Sequence, residues 1–299
     1  MAQNQSCLTP PVLLLGIAGA SSSGKSTLIR HLSKYFSQDD ISVFDMDGFH
    51  IHTRKEREKL NEYPEDVNAN NFSQLISALK SVKMGHQVIV PTYDHRVGLF
   101  GQPMKFQPTK LTFVEGLHAG KINDFSQENL IDFSIFIYPD DQLRKEWKIK
   151  RDINERGYAY SNAVKQVSDR DAYVKKCVLP QVDTAEILLL ITRGSSQKLS
   201  TFPIISPRFQ EHINNLPFTG LLNCIQATPY EFGGSEYFLI NLDQKDKIDH
   251  LLGESKRARI IQEYIDFQYE RDSHSYSHTV EVLIVLIIMN YLAKMKEGK

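Results

Sequence analysis

Residues 19–27 read GASSSGKST. The first eight, Gly19, Ala20, Ser21, Ser22, Ser23, Gly24, Lys25 and Ser26, fit the phosphate-loop pattern G-x-x-x-x-G-K-[ST], with Thr27 directly after them. Glycines in such a loop let backbone N–H groups crowd around phosphate oxygens, Lys25 adds a point charge, and the Ser26 hydroxyl suits Mg²⁺. The flanks decide whether the match is meaningful. PVLLLGIAG (11–19) has the length and bounds of a buried strand, and STLIRHLSKYF (26–36) carries Leu28, Leu32 and Phe36 at helical spacing. Strand, glycine loop and helix together aim a helix N-terminus at an anion. A chance Gly/Ser turn would lack that setting, so the segment reads as a nucleotide-binding P-loop.

The rest of the composition narrows the class. A chain of 299 residues holds one large domain or a domain with an appendage. Its 41% hydrophobic and 24% charged content is that of an ordinary globular protein. A formal charge of −1 gives no attraction for nucleic acid or a membrane surface. Cys7, Cys177 and Cys224 are too few and scattered for a disulfide framework or a zinc site. The start, MAQNQSCLTP, lacks the basic and apolar regions of a signal peptide. The longest apolar run, Val282–Met289, is too short to cross a bilayer. It reads as a buried or dimer-facing helix, which leaves a homodimer open. A cytoplasmic protein is expected.

Strand-like runs alternate with helical patterns over roughly the first 190 residues: PVLLLGIA, ISVFDMD, HQVIV, KLTFVEG, DFSIFIY and EILLLI. Helical stretches between them include NNFSQLISALKSVKMG and DDQLRKEWKIKRDINERG, the latter closed by Gly157. Such alternation predicts an α/β fold, a mostly parallel sheet flanked by helices. TRGSSQKLS (192–200) reads as a connector. Beyond it, GLLNCIQATPYEFGGSEYFLINLD offers two strands and a turn, and helical sequence closes the chain. Residues 1–191 are expected to form a P-loop core with a lid helix. Residues 192–299 should form a small α+β extension, packed on that core or continuing its sheet.

A P-loop specifies a nucleotide and not a reaction. DMDG (45–48) matches the GTPase D-x-x-G, but the chain has no Asn-Lys pair for a guanine-reading N-K-x-D and no LSGGQ-like signature. The small-molecule kinases fit best. Asp45 and Asp47 fall at the C-terminal end of the second strand, the edge where open α/β sheets bind ligands. A carboxylate there suits a general base, although either residue alone also reads as a solvated turn aspartate. Glu115, directly after LTFV, stands where an acid would reach Mg²⁺ through water. Lys148, Arg151, Asp152 and Arg156 share one helix face, fit either for closing over phosphates or for solvated ion pairs. DGFHIHTRKERE (47–58) gathers His50, His52, Arg54, Lys55 and Arg57 beside the presumptive base, which suits a substrate already bearing phosphate. His274 and His278 have no acidic companion of the H-E-x-x-H type and read as surface residues.

With these motifs in view, the chain resembles the phosphoribulokinase branch of the phosphoribulokinase/uridine kinase family, particularly its plant and cyanobacterial type. The carriers are DGFH with Arg54, ANNF (69–72), PTYDH (91–95), VEGLH (114–118), WKIKRDINERG (147–157) and SDRDAYVKKCVLPQ (168–181). The similarity runs from about Val12 to Ile191. It implies a P-loop kinase fold, ATP and Mg²⁺, and phosphorylation of the 1-hydroxyl of D-ribulose 5-phosphate. By the resemblance Asp47 is the base, Lys25 and Ser26 serve ATP and Mg²⁺, and Glu115 is the second acid. His50, Arg54, Tyr93 and Arg170 meet the sugar phosphate, while Lys148, Arg151 and Arg156 form the lid clamp. One departure stands out: Ser23 occupies the place of a regulatory cysteine in the light-regulated plant enzymes, so no redox switch is carried over. A uridine kinase-like nucleoside kinase and a non-catalytic nucleotide-binding regulator remain as alternatives.

Overall fold

In the computed structural model, residues 12–193, 199–206, 226–232, 235–241 and 278–296 are described. The chain opens with β1 (Leu13–Gly19), buried along its whole length. Buried on both faces, it needs no polar alternation: Leu13, Leu15 and Ile17 enter one core, and Leu14 and Ala18 enter the other. The P-loop follows, then α1 (Lys25–Leu32), which lays Leu28, Ile29 and Leu32 on the first core.

Next come β2 (Ile41–Asp45), α2 (Arg54–Leu60) and α3 (Phe72–Lys83). Thr53 and Glu56 close a capping box on α2, and Leu75, Leu79 and Val82 of α3 pack into the second core. The short strands β3 (Val88–Val90), β4 (Tyr93–Asp94), β5 (Leu99–Phe100) and β6 (Met104–Phe106) pair off as two small antiparallel ribbons, β3 with β6 and β4 with β5. The run HQVIV therefore lies outside the main sheet, contrary to the sequence expectation. Only Val90 of its strand is buried while Ile89 is 61% exposed, so it cannot serve as an interior strand.

The core resumes with β7 (Leu111–Gly116), α4 (Ile122–Ser126), β8 (Phe133–Pro139), α5 (Asp141–Asn154), α6 (Tyr160–Tyr173) and β9 (Ile187–Arg193). Five strands run parallel in the order β9-β8-β1-β7-β2. Then β10 (Leu199–Ile205) pairs antiparallel to β9, with Thr201 opposite Ile191. The strands β11 (Gln226–Phe232) and β12 (Ser235–Asn241) complete an eight-stranded sheet. Finally α7 (His278–Lys296) buries Val280, Leu283, Ile284, Val285, Ile287 and Ile288 in the first core. The apolar run of the sequence is thus a core element. Glu281 on that helix meets His31 Nδ1 of α1 at 2.6 Å. Among the described residues no helix is long and apolar enough to cross a membrane.

Candidate active site

The C-terminal ends of β1, β2 and β7 converge because the strands are parallel and in register: Glu115 stands opposite both Ile17 and Asp45. A cavity of about 890 Å³ opens above them. Gly24 enters α1 in the left-handed conformation (φ 101°) and has no capping side chain to offer, so the helix N-terminus faces the loop's cradle. Gly19 (φ 147°) is equally constrained, since a Cβ there would meet Ser23 Oγ at 2.6 Å. Lys25 Nζ folds back over the loop and donates to the carbonyls of Gly19 and Ala20, each at 3.1 Å. Burial lowers the Lys25 pKa, and the charges of Glu115 and Asp47 work against that shift.

Whether a polyphosphate and a hard cation fit this cradle is decided by its atoms. Ser22 Oγ, Ser23 Oγ and Arg151 Nε are buried with no hydrogen-bond partner, as donors waiting for anionic oxygens would be. Ser26 Oγ donates to Glu115 Oε1 at 2.7 Å, and Asp45 and Asp47 line the same space. This all-oxygen set suits Mg²⁺, which takes one or two carboxylate or hydroxyl oxygens and completes its shell with phosphate and water. Among the described residues no group of three or more His, Cys, Asp or Glu side chains forms a metal cage by itself.

The two aspartates are held differently. The strand β2 ends at Asp45, and Asp47 begins a helical turn, so the pair does not continue one strand face. Asp47 N–H donates to Asp45 Oδ1 at 2.8 Å. The Asp45 carboxyl faces the open cavity but is crowded by protein on its other sides. That crowding, with the Asp47 charge beside it, pushes its pKa up to about 7. Burial would raise Asp47 too, but the hydrogen bond from His95 Nε2 to its Oδ2 (2.8 Å), the charges that His50 and His95 take on as the pH falls, and that of Lys25 win, holding it well below the usual carboxylate range. Near neutral pH Asp47 is the ionised member of the pair.

Gly48, next in the turn, packs its backbone on that of Pro91: a Cβ would fall 2.0 Å from the Pro91 carbonyl oxygen. His50 is buried, and burial lowers its pKa. Asn70 donates its amide to the carbonyls of Pro64 and Asp66, so its Oδ1 accepts from His50 Nδ1 at 2.8 Å. The His50 Nε2 lone pair is left toward Asp47 Oδ1, 4.0 Å away. His50 is therefore a neutral acceptor near neutral pH. Tyr93 stacks edge-on with His50 and His95, and its hydroxyl accepts from Arg57 Nη2 at 2.8 Å. Arg54 donates to the carbonyl of His95 and lies over the Tyr158 ring. Arg170 reaches Glu65.

On the lid side, Asp152 is fully buried and draws Lys148, Arg151 and Arg156 together. Arg151 Nη2 donates to Ser21 Oγ at 2.9 Å. The helix α5 stops at Asn154, so Arg156 lies past its end and not on its face, yet still reaches Asp152 Oδ1 at 3.4 Å. Arg151 and Arg156 line the cavity and Lys148 does not. Burial pushes the Lys148 ammonium down to about 7 despite its contact with Asp152, the opposite of a solvated clamp residue.

Sheet order puts Ile191, Leu199 and Thr201, joined by Trp147 of α5, on one side of the P-loop, and Asp45 and Asp47 on the other. Sequence reasoning did not single out Glu65, His95, Leu199 or Thr201 for the site. His95 lies within the motif PTYDH (91–95), which points to it; the others carry no local signal. Of the three cysteines, Cys177 is a half-buried free thiol, while Cys7 and Cys224, like His274, lie outside the described residues.

A five-stranded parallel sheet with a P-loop after its central strand β1, and acids at the ends of the two strands on one side of it, Glu115 of β7 and Asp45 of β2, defines a P-loop kinase-type nucleotide fold. The chain belongs to the phosphoribulokinase/uridine kinase family, whose profile matches residues 14–200. It is 31% identical to a phosphoribulokinase of Synechocystis over 180 residues, 60% of this chain and 54% of that protein. It is 29% identical to a uridine kinase of Clostridium perfringens over 161 residues, 52% of this chain and 74% of that one. The chain spans about half the length of the Synechocystis and spinach phosphoribulokinases it matches. A solved structure titled as phosphoribulokinase from Rhodobacter spheroides overlays with a TM-score of 0.53 at 16% identity. That overlay covers 86% of this chain and 99% of the other, a likeness of fold.

Proposed function

We propose that this protein transfers the γ-phosphoryl group of ATP to a hydroxyl of a sugar phosphate, with the 1-hydroxyl of D-ribulose 5-phosphate the leading acceptor. The observation that carries this reading is the charge of the acceptor side of the cavity. Arg54, Arg57 and Arg170 line it around the ionised Asp47. Arg170 has Glu65 beside it, but an uncharged nucleoside would give Arg54 and Arg57 no anion, whereas a phosphorylated acceptor would.

In this reading the acceptor hydroxyl attacks the γ-phosphorus, the bond to the β,γ-bridging oxygen breaks, ADP leaves, and the hydroxyl proton passes to Asp47. Ser26 and Glu115 would hold Mg²⁺, which supplies charge neutralisation on the phosphates. Lys25, Arg151 and Arg156 face the transferred group and stabilise charge developing on it. The apolar surface of Trp147, Ile191 and Leu199 suits the flat face of the nucleotide base.

A nucleoside acceptor is the second reading, supported by the similarity to a uridine kinase. An ATP-coupled turnover screen of D-ribulose 5-phosphate, uridine, cytidine and pantothenate separates them. Turnover confined to the sugar phosphate is expected. Efficient turnover of uridine alone would reverse the ranking, and tight ATP binding without turnover of any acceptor would make the protein a regulator.

A further inference from the structure

The acceptor side holds an acid that the transfer step does not use. Glu65 is 2% exposed, yet it lines the cavity. Its Oε1 lies 3.7 Å from Arg170 Nη1, close enough for an ion pair and too far for a hydrogen bond. Its Oε2 is buried without a hydrogen-bond partner, and so is Nε of Arg170. One open acceptor and one open donor thus belong to two neighbouring side chains, both of which line the cavity. Native folds rarely leave such atoms unsatisfied, so the pair calls for a third group.

The chemistry of that group is constrained from both sides. A carboxylate accepts and does not donate, so the ligand must offer a donor to Glu65. A phosphate is the wrong partner there, because its charge would be repelled by the carboxylate. A guanidinium only donates, so the same ligand must also offer an acceptor to Arg170. An ammonium group fails the second condition, and a carbonyl fails the first. A sugar hydroxyl meets both.

We propose that Glu65 and Arg170 together read one hydroxyl of the acceptor, which donates to Glu65 Oε2 and accepts from Arg170 Nε. The pair is then a specificity determinant for a polyol chain, separate from the arginines left to its phosphate. This rests on the sugar-phosphate reading above. It also changes the expected role of Arg170, which Glu65 converts from a phosphate ligand into half of a hydroxyl reader. A site built to bond a hydroxyl discriminates strongly against a substrate lacking it, because its own buried polar atoms are then left open.

The test pairs substrate and protein changes: steady-state kinetics of wild type and Glu65→Gln with D-ribulose 5-phosphate and its 3-deoxy and 4-deoxy analogues. Wild type should lose roughly tenfold or more in kcat/KM on one deoxy analogue. Glu65→Gln should raise KM for D-ribulose 5-phosphate by a similar factor, leave KM for ATP within about twofold, and no longer distinguish that analogue. Equal penalties on all three acceptors, or KM for ATP rising in parallel, would overturn the proposal in favour of a structural acid. Should Glu65→Gln fail to fold, the wild-type series decides alone, and indifference to both deletions sinks the idea. Absence of any wild-type turnover of sugar phosphates would instead remove the functional reading, and this inference with it.

Discussion

His95 Nε2 donates to Asp47 Oδ2 at 2.8 Å, a hydrogen bond between residues 48 positions apart in the chain. It is a principal reason that Asp47 stays ionised in a crowded site. If Asp47 is the base, Asp47→Asn should lower kcat by about 10² to 10⁴ with little change in acceptor affinity. Activity should fall as pH drops through the Asp47 pKa. His95→Ala removes a cause of that low pKa, so the acid limb of kcat/KM should move to higher pH. A limb that stays put would show that His95 does not act through Asp47.

Lys25→Ala tests the nucleotide end. Among the described residues the ammonium bonds only the loop carbonyls of Gly19 and Ala20, so its loss should leave the cores intact. Turnover should be abolished or severely reduced while the far-UV spectrum is unchanged. Near-normal activity would refute the P-loop reading.

The buried Asp152 separates stability from catalysis on the lid. Asp152→Asn removes the counter-charge of Lys148, Arg151 and Arg156 together, and should destabilise by about 3–5 kcal/mol in denaturant titration. Arg151→Ala keeps Asp152 paired with Lys148. It should lower kcat by about two orders of magnitude or more with less effect on ATP affinity, and Arg151→Lys should rescue poorly. Unchanged kinetics in Arg151→Ala would reduce the lid to an ion-pair network.

Asp45 carries a pH signature of its own. Its pKa is raised to about 7 in the folded state, against an ordinary value of 3.8. Between those pH values the folded protein holds a proton that the unfolded chain has released, so this group's contribution to stability falls as pH rises through the window. Asp45→Asn should therefore melt higher than wild type at pH 8, with the gap closing toward pH 5. An equal gap at both pH values would contradict the shift.

The loop, its flanking strand and helix, and the parallel order were legible because each rests on local pattern: a glycine loop, an apolar run, a helical period. The ribbon strand Val88–Val90 was misread because a short apolar run does not record whether a partner covers both its faces. The state of His50 could not be read, since it depends on Asn70 twenty residues away and on the carbonyls that orient its amide. Glu65 was invisible for a similar reason: only the fold brings it to Arg170. Asp152 was seen on the right face, but complete burial turned a presumed surface ion pair into the hub of three cations.

Gly48 gives the site a fixed gauge. Its backbone rests directly on that of Pro91, just ahead of the ribbon strand bearing Tyr93 and leading to His95, while Asp47 is its own neighbour. The spacing between the presumptive base and its histidine is thus set by main chain against main chain, not by adjustable side chains. A single methyl at this position would act as a shim, spreading the two segments and pulling His95 off Asp47 without touching either residue. The smallest side chain in the turn is what keeps the most demanding distance in the cavity.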